Sequence, residues 1–471
     1  MKTFLIWLKR SSAIAVATLV VAGCNVGPRY NRPTVSTPPA FRGADDASVV
    51  SAAQNSVADQ QWSEVFREPE LQSLIRTALA NNYDIRIAAR RVLEQQAQVQ
   101  ITRSQEFPQI TGGGTGVGAT LPSNLGVNIA SPLVFGSFNL GAAWNPDFWG
   151  LYRKQTEAAR AQLLAQTWAQ RAVRLTLIQQ VVSTYIDLRA LDRKLEITKQ
   201  TLKVRQDSLQ LTEKLERGGS APLSDVREAE QLLYTASSQV PQLEQEIQQD
   251  ENALKLLLGA DPGPVAHTAA DVLAPAPQDL PTGLPSQLLE RRPDIQQAEQ
   301  TLVAANAQIG IARAQFFPQL SITTSAGIGG NEFSNLFDVS GKTLYGIGSL
   351  TQPIFEGGKL RGQLKLSRET KEEMVLNYQK TIATAFRDVS NALIAHNKQR
   401  VYREEQEKLV AAAQDATRLA RLRYQGGATG YLEVLTTDSS LYSAELNLVN
   451  AQQGEAVTVV QLYSALGGGW R

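Results

Sequence analysis

Two rhythms of apolar residues alternate along the chain. In the first, Leu175, Ile178, Val182, Tyr185, Leu188, Leu191, Leu195, Leu202 and Leu209 recur mostly three or four apart, in a stretch from Leu151 to Leu215 without proline or glycine. That spacing is the seam of a coiled-coil-like helix, roughly 100 Å long at ~1.5 Å per residue. Gly218-Gly219 turns the chain, since glycine accepts left-handed angles at little cost. A second helix returns from about Pro222 to Leu258, and the whole pattern recurs as Lys359 to Tyr424, a turn at Gly426-Gly427, and Leu432 to Leu466. The second rhythm is a partial alternation, rich in Gly, Thr, Ser and aromatics, over Gln109–Ala119, Phe135–Trp144, Gln319–Ile328 and Leu344–Phe355. Weak alternation over segments of ~10 residues is the pattern of membrane barrel strands. Polar loops 120–134 and 329–343 join each pair, and helices 84–105 and 294–314 lead in, each stopped at a Phe-Pro step. Trp144, Phe148, Trp149, Phe316, Phe317 and Phe355 gather at one end of these strands. Aromatics there suit a lipid–water boundary and equally suit the cap of a soluble core.

The chain is written twice. Asp84 to Thr111 aligns without a gap on Asp294 to Ser321, matching Ala88 with Ala298, Gln98 with Gln308, Arg103 with Arg313 and Phe107-Pro108-Gln109 with Phe317-Pro318-Gln319. Further on, Gly218-Gly219 answers Gly426-Gly427 and Leu258-Gly259 answers Leu466-Gly467. The expected organisation is a signal at 1–23, a tether at 24–61, a first repeat at 62–265, a connector at 266–284 and a second repeat at 285–471.

The first residues form a secretory signal: Lys2, Lys9 and Arg10, then a short apolar run from Ala13 to Ala22, then Gly23-Cys24. The run falls short of the ~20 residues a membrane helix needs. Its Ala-Gly-Cys ending resembles the bacterial lipobox. That resemblance implies cleavage before Cys24, with S-diacylglycerol on the sulfur and an acyl chain on the new amino terminus. Asn25 after the cysteine resembles the choice that sorts lipoproteins to the outer membrane. Pro28, Pro33, Pro38 and Pro39 make the following stretch an extended tether.

Composition narrows the chemistry. The 471 residues carry 46 basic and 45 acidic side chains, without the basic excess that nucleic-acid binding requires. One cysteine excludes an intrachain disulfide and a thiolate zinc cluster, and two histidines, His267 and His396, leave little for imidazole chemistry. Ser340-Gly341-Lys342-Thr343 ends like a phosphate loop, but Leu336 stands where its first glycine belongs. Gly112 to Gly118 lacks the setting of a dinucleotide site. No nucleophile–base pair is evident, so an enzyme is not expected.

Four strands cannot close a membrane barrel, and an open edge in lipid costs several kcal/mol per unpaired backbone group. The chain must therefore oligomerise. Two copies give eight strands, whose interior side chains fill; three give twelve and leave a lumen.

The lipobox, Asn25 to Tyr30, Leu288 to Ile295 (LLERRPDI), the two Phe-Pro-Gln elements and the terminal Ala465 to Trp470 (ALGGGW) together resemble the outer membrane factor (TolC-like) family, in its OprM-type efflux lipoprotein branch. The resemblance runs the length of the mature chain. It implies an α+β membrane protein: a homotrimer with a twelve-stranded β-barrel, continued by a long periplasmic α-helical barrel. It implies a cell outer membrane location, a periplasmic adaptor, an inner-membrane RND- or MFS-type pump, and no cofactor. The function implied is a passive exit duct for drugs or other small molecules. A TolC-like duct for secreted proteins and a non-conducting structural lipoprotein are the alternatives. In such proteins the periplasmic tip is closed by the helix turns and acidic rings. Aligned here, Glu433 takes the first acidic position and Thr436 the second, with Asp438 nearby; Asp225 and Glu228 are their first-repeat equivalents. A three-fold axis would triple each carboxylate and draw cations to the mouth.

Overall fold

The computed structural model describes residues 26–43, 56–119, 133–266, 283–330 and 341–470. Cys24, the signal segment, His267 and most of 120–134, 266–284 and 329–343 lie outside the described residues. In chain order the elements are α1 (Trp62–Val65), α2 (Pro69–Asn81), α3 (Tyr83–Ser104), β1 (Gln109–Ala119), β2 (Leu133–Trp144), α4 (Leu151–Arg217), α5 (Leu223–Leu257), α6 (Leu288–Arg291), α7 (Pro293–Ala314), β3 (Gln319–Gly330), β4 (Lys342–Thr351), α8 (Lys359–Gln425) and α9 (Tyr431–Ala465). The duplication is kept to the residue: α4 and α8 are each 67 residues long, α5 and α9 each 35.

Sequence and structure part in four places. The strand expected over Leu344–Phe355 runs instead from Lys342 to Thr351, because Pro353 has no N–H to offer a ladder. The strands expected to begin at Phe135 and end at Ile328 begin at Leu133 and end at Gly330. Helix α2 was not expected; it starts on Pro69 and buries Leu71, Ile75 and Ala78 along one stripe.

The chain forms two compact units. One comprises residues up to Thr34, Arg91–Gln166 and Gln297–Tyr378. It holds a four-stranded antiparallel sheet in the order β1-β2-β3-β4, so its central joint pairs β2 of the first repeat with β3 of the second. The phosphate-loop-like Lys342-Thr343 opens β4, and the glycine-rich Gly112 to Gly118 lies within β1. The strand-end aromatics are tied down. Trp144 Nε1 donates to the Glu106 carbonyl at 3.1 Å, and Trp149 Nε1 to the Pro318 carbonyl at 2.7 Å. The Trp149 ring stacks on Phe317 at 4.7 Å.

The other unit comprises Val35–Arg90, Thr167–Gln296 and Gln379–Arg471. Its largest core packs Ile178, Val181, Val182, Tyr185, Ile186 and Leu188 of α4 against Leu71 and Ile75 of α2, Leu254 of α5 and Tyr463 of α9. Each repeat staples its last helix back onto its beginning. In the first, Asn82 Nδ2 donates to the Leu257 carbonyl at 2.9 Å; in the second, Arg292 Nη1 donates to the Ala465 carbonyl at 3.0 Å. Trp470 Nε1 then donates to the Arg291 carbonyl at 3.0 Å. The LLERRPDI and ALGGGW motifs are thus the two halves of one joint.

Buried His396 in α8 faces α9. The Thr458 hydroxyl donates to the Glu455 carbonyl at 2.6 Å and lies 3.1 Å from His396 Nδ1, so Nδ1–H donates to Thr458. Burial lowers the His396 pKa below 6.5; Glu455 opposes that shift and Arg400 adds to it. A histidine whose folded pKa is depressed binds protons more readily unfolded, so its contribution is full above pH 6.5 and is lost as pH falls below it. Thermal unfolding between pH 7 and pH 5 should show a smaller acid-induced loss of Tm in His396→Asn than in wild type. Equal losses would refute this.

Candidate functional site

The strand register sorts the sheet into two faces. Pairing sets Gly112 opposite Leu140, Gly114 opposite Phe138, Leu140 opposite Ala326 and Ala326 opposite Leu344. Because side chains alternate, one face carries Ile110, Phe138, Leu140, Trp144, Leu320, Ile322, Ile328, Leu344 and Leu350, with Lys342 at its end. The opposite face carries Gln109, Thr111, Thr115, Ser137, Asn139, Ser321, Thr323, Ser325, Thr343, Ser349 and Thr351, with Val117, Phe135, Tyr345 and Ile347 among them. Among the described residues that second face bears no charge. Ser321 and Ser349 hydroxyls bond across it at 2.6 Å. Among the described residues nothing covers the apolar face: Leu344 is 83% exposed and Ile110 70%. The strands are 10 to 12 residues long, long enough at ~45° tilt to cross a bilayer core. No described helix is long and apolar enough to cross a membrane.

The two helix turns are built alike. Ser220 N–H bonds the Leu215 carbonyl and Gly219 N–H the Glu216 carbonyl; Ala428 bonds Arg423 and Gly427 bonds Tyr424 in the same way. This double closure requires a left-handed residue after the helix end, and Gly219 and Gly427 supply it with φ of 71° and 70°. Gly218 and Gly426 close the preceding bonds, to Lys214 and Leu422.

Around the turns Ala229, Ala420, Tyr431 and Val434 form a small core that gathers residues of α5, α8 and α9, with Leu209 of α4 packed on it. The four acidic residues expected at the tip have different surroundings. Asp225 lies in the first turn of α5, 3.4 Å from the Ser224 hydroxyl. Burial, with the Asp225 carboxylate second, pushes the Tyr424 phenol up. Glu228 is half-buried on the next turn. Glu433 accepts from Arg423 at 2.8 Å and from the Thr429 hydroxyl. Asp438 is buried: Arg205 Nε donates to one oxygen at 2.9 Å and Arg421 Nη2 to the other at 2.7 Å. Arg205 also donates to the Leu232 carbonyl at 2.8 Å and covers the Tyr442 ring at 5.1 Å. This clamp therefore ties α4, α5, α8 and α9 together.

Arg205, Arg421 and Arg423 were not foreseen. The repeat offset of 208 held the clue, since the positions answering Arg205, Arg421 and Asp438 are Ala413, Glu213 and Glu230. The clamp has no first-repeat counterpart. No cluster of potential metal ligands occurs among the described residues.

The outer membrane efflux protein family matches residues 74–260 and 284–468. The chain is 35% identical to the cation efflux system protein CusC of Escherichia coli O6:H1, over 96% of this chain and 97% of that one. It is 35% identical to the probable efflux pump outer membrane protein TtgC of Pseudomonas putida, over 97% and 95%. Its fold is similar to a crystal structure of CusC, with a TM-score of 0.84 and 34% identity over 95% of this chain and 100% of that one. It is also similar to the open-state MtrE outer membrane channel of Neisseria gonorrhoeae, with a TM-score of 0.80 and 29% identity over 95% and 99%.

Proposed function

Because this chain belongs to the outer membrane efflux protein family, a family of channel proteins, we propose that three copies form a passive duct that carries drugs or other small molecules across the outer membrane. The observation that carries this reading is the two-faced sheet with open edges at β1 and β4. Its apolar face meets lipid and its uncharged hydroxyl face lines the lumen. The unpaired edges cost too much in hydrocarbon to stay open, so β4 of one copy pairs with β1 of the next. The coiled-coil helices line the periplasmic part of the passage, and acyl chains on Cys24 anchor each copy. A periplasmic adaptor and an inner-membrane pump of the RND or MFS type supply cargo and energy; the duct itself catalyses nothing and holds no cofactor.

Since the described lumen face of the sheet is uncharged, charge selection falls to the tip. Asp225, Glu228 and Glu433 act there as half-exposed carboxylates, tripled by the axis. Asp438 contributes by holding the helices in place. Glu433→Gln leaves Arg423 without its counter-charge, so single-channel recordings should show reduced cation preference. Unchanged selectivity would remove Glu433 from the constriction. The function as a whole is tested by deleting the gene and measuring susceptibility across chemical classes. Sensitisation to several small molecules, reversed by the wild-type gene, supports efflux. A strain unaltered in susceptibility but defective in releasing a protein supports secretion instead.

A further inference from the structure

The segment after the acylated cysteine is pinned to α7. The Tyr30 hydroxyl donates to Glu299 Oε1 at 3.3 Å, and the Arg32 guanidinium to Glu299 Oε2. Buried Tyr378 of α8 lies beside this pair, its phenol pushed up by burial and by the Glu299 carboxylate. Two turns along α7, Asn306 Nδ2 donates to the Pro28 carbonyl at 3.1 Å. One turn further, a Cβ on Gly310 would lie 3.1 Å from the Lys154 side chain and 3.2 Å from the Gly27 Cα, so glycine leaves room for both to lie close. Positions 299, 306 and 310 share one helix face. Glu299 is only 9% exposed, and a carboxylate so placed needs its partners.

The duplication shows that this face is particular to α7. At the offset of 210, Glu299, Asn306 and Gly310 answer Ala89, Gln96 and Gln100 of α3. The helices match at Ala298 and Ala88, Ala307 and Ala97, and Ile311 and Ile101. They differ where the segment is held.

We propose that residues 27–32 are a strap latched by Glu299, which fixes where the lipid anchor enters the bilayer. This rests on the reading that Cys24 carries the lipid. Gly27 is three positions after Cys24, a reach of at most ~11 Å. A leash free from Cys24 to Trp62 would wander over roughly 30 Å. The strap meets α7 at Gly310, close to the helix end at Ala314 and the start of β3 at Gln319. The acyl chains therefore enter beside the foot of β3, and the anchor acts as a short spacer.

Trypsin tests the latch on the full-length protein in detergent. The Arg29 side chain is exposed, but the backbone on either side is held through Pro28 and Tyr30. Wild type should resist cleavage after Arg29. Glu299→Ala and Arg32→Ala should each accelerate it at least ~10-fold, the effect of losing a hydrogen bond to a charged group when cleavage follows the open population. The double variant should be no faster than Glu299→Ala alone, because losing Glu299 already frees both Arg32 and Tyr30. Arg32→Ala leaves α7 untouched and decides the matter if Glu299→Ala is digested throughout. Cys24→Ser should be as resistant as wild type, and the mass of the released 24–29 fragment reports the lipid separately. Wild-type cleavage as fast as in the variants, or variants as resistant as wild type, would overturn the latch whatever the state of Cys24.

Discussion

Replacing Asp438 with alanine should destabilise the chain by about 3–5 kcal/mol, the cost of stranding one member of a buried ion pair. The side chains of Arg205 and Asp438 are 3% and 8% exposed, so water cannot take over the lost partner. Arg421 is more exposed and can turn outward. The stranded charge is therefore Arg205, which joins α4 to the Leu232 carbonyl of α5 and to α9. Asp438→Ala should lower the denaturation midpoint and, by loosening the helices beside the turns, raise resting conductance in planar bilayers. Joint replacement, Arg205→Met with Asp438→Leu, should recover most of the stability, because well-packed apolar residues often substitute for a buried pair at little cost. If Asp438→Ala unfolds at the wild-type midpoint, the clamp does not hold these helices.

The second large effect separates the two faces of the sheet. Leu140 in β2 is 58% exposed on the apolar face, beside Ala326 in the pairing. Leu140→Arg places a charge in lipid, at ~2–4 kcal/mol per copy if the position is near the bilayer midplane. It should sharply reduce the oligomer recovered from outer membranes. Thr323 in β3 belongs to the hydroxyl face, opposite Ile347 and Ala143. Thr323→Arg should leave assembly near wild type and shift selectivity toward anions. The reverse pattern, with Leu140→Arg tolerated and Thr323→Arg disruptive, would mean that the faces are assigned backwards.

Much of this was legible in the residues. The proline-free, glycine-free run from Leu151 to Leu215 with its heptad-like seam marked the first long helix, the repeat marked its counterpart, and the Gly-Gly pairs marked their turns. The repeat predicted a lead-in helix, two strands and a long helix pair in each half; the equal lengths of the paired helices emerged only from the structure. The sheet's faces were less clear, because partial alternation in glycine-rich strands leaves register open until pairing is known; Gly112, Gly114 and Gly116 carry no side chain to mark a face. The limits of β4 were misjudged by reading Ile354 and Phe355 as strand residues past Pro353. For the four carboxylates expected at the tip, the residues could be named but not their partners. Glu433 and Asp438 look alike in sequence, yet one meets exposed Arg423 while the other is enclosed by Arg205, a residue more than two hundred positions away. Such long-range pairing leaves a local trace only as a departure from the repeat, and the same departure marks Glu299.

The central claim is that each copy contributes a fraction of a cylinder and a neighbour seals its edges. The chain has a single cysteine, Cys24, so engineered pairs give a clean background. A cysteine at Thr115 in β1 is combined in turn with one at Thr343, Tyr345, Ile347 or Ser349 in β4, and membranes holding the protein are oxidised. At least one pair should join copies into a ladder that stops at three, with reduction restoring the single chain. Closure of β1 onto β4 within one copy, or a ladder that stops at two, would contradict the account.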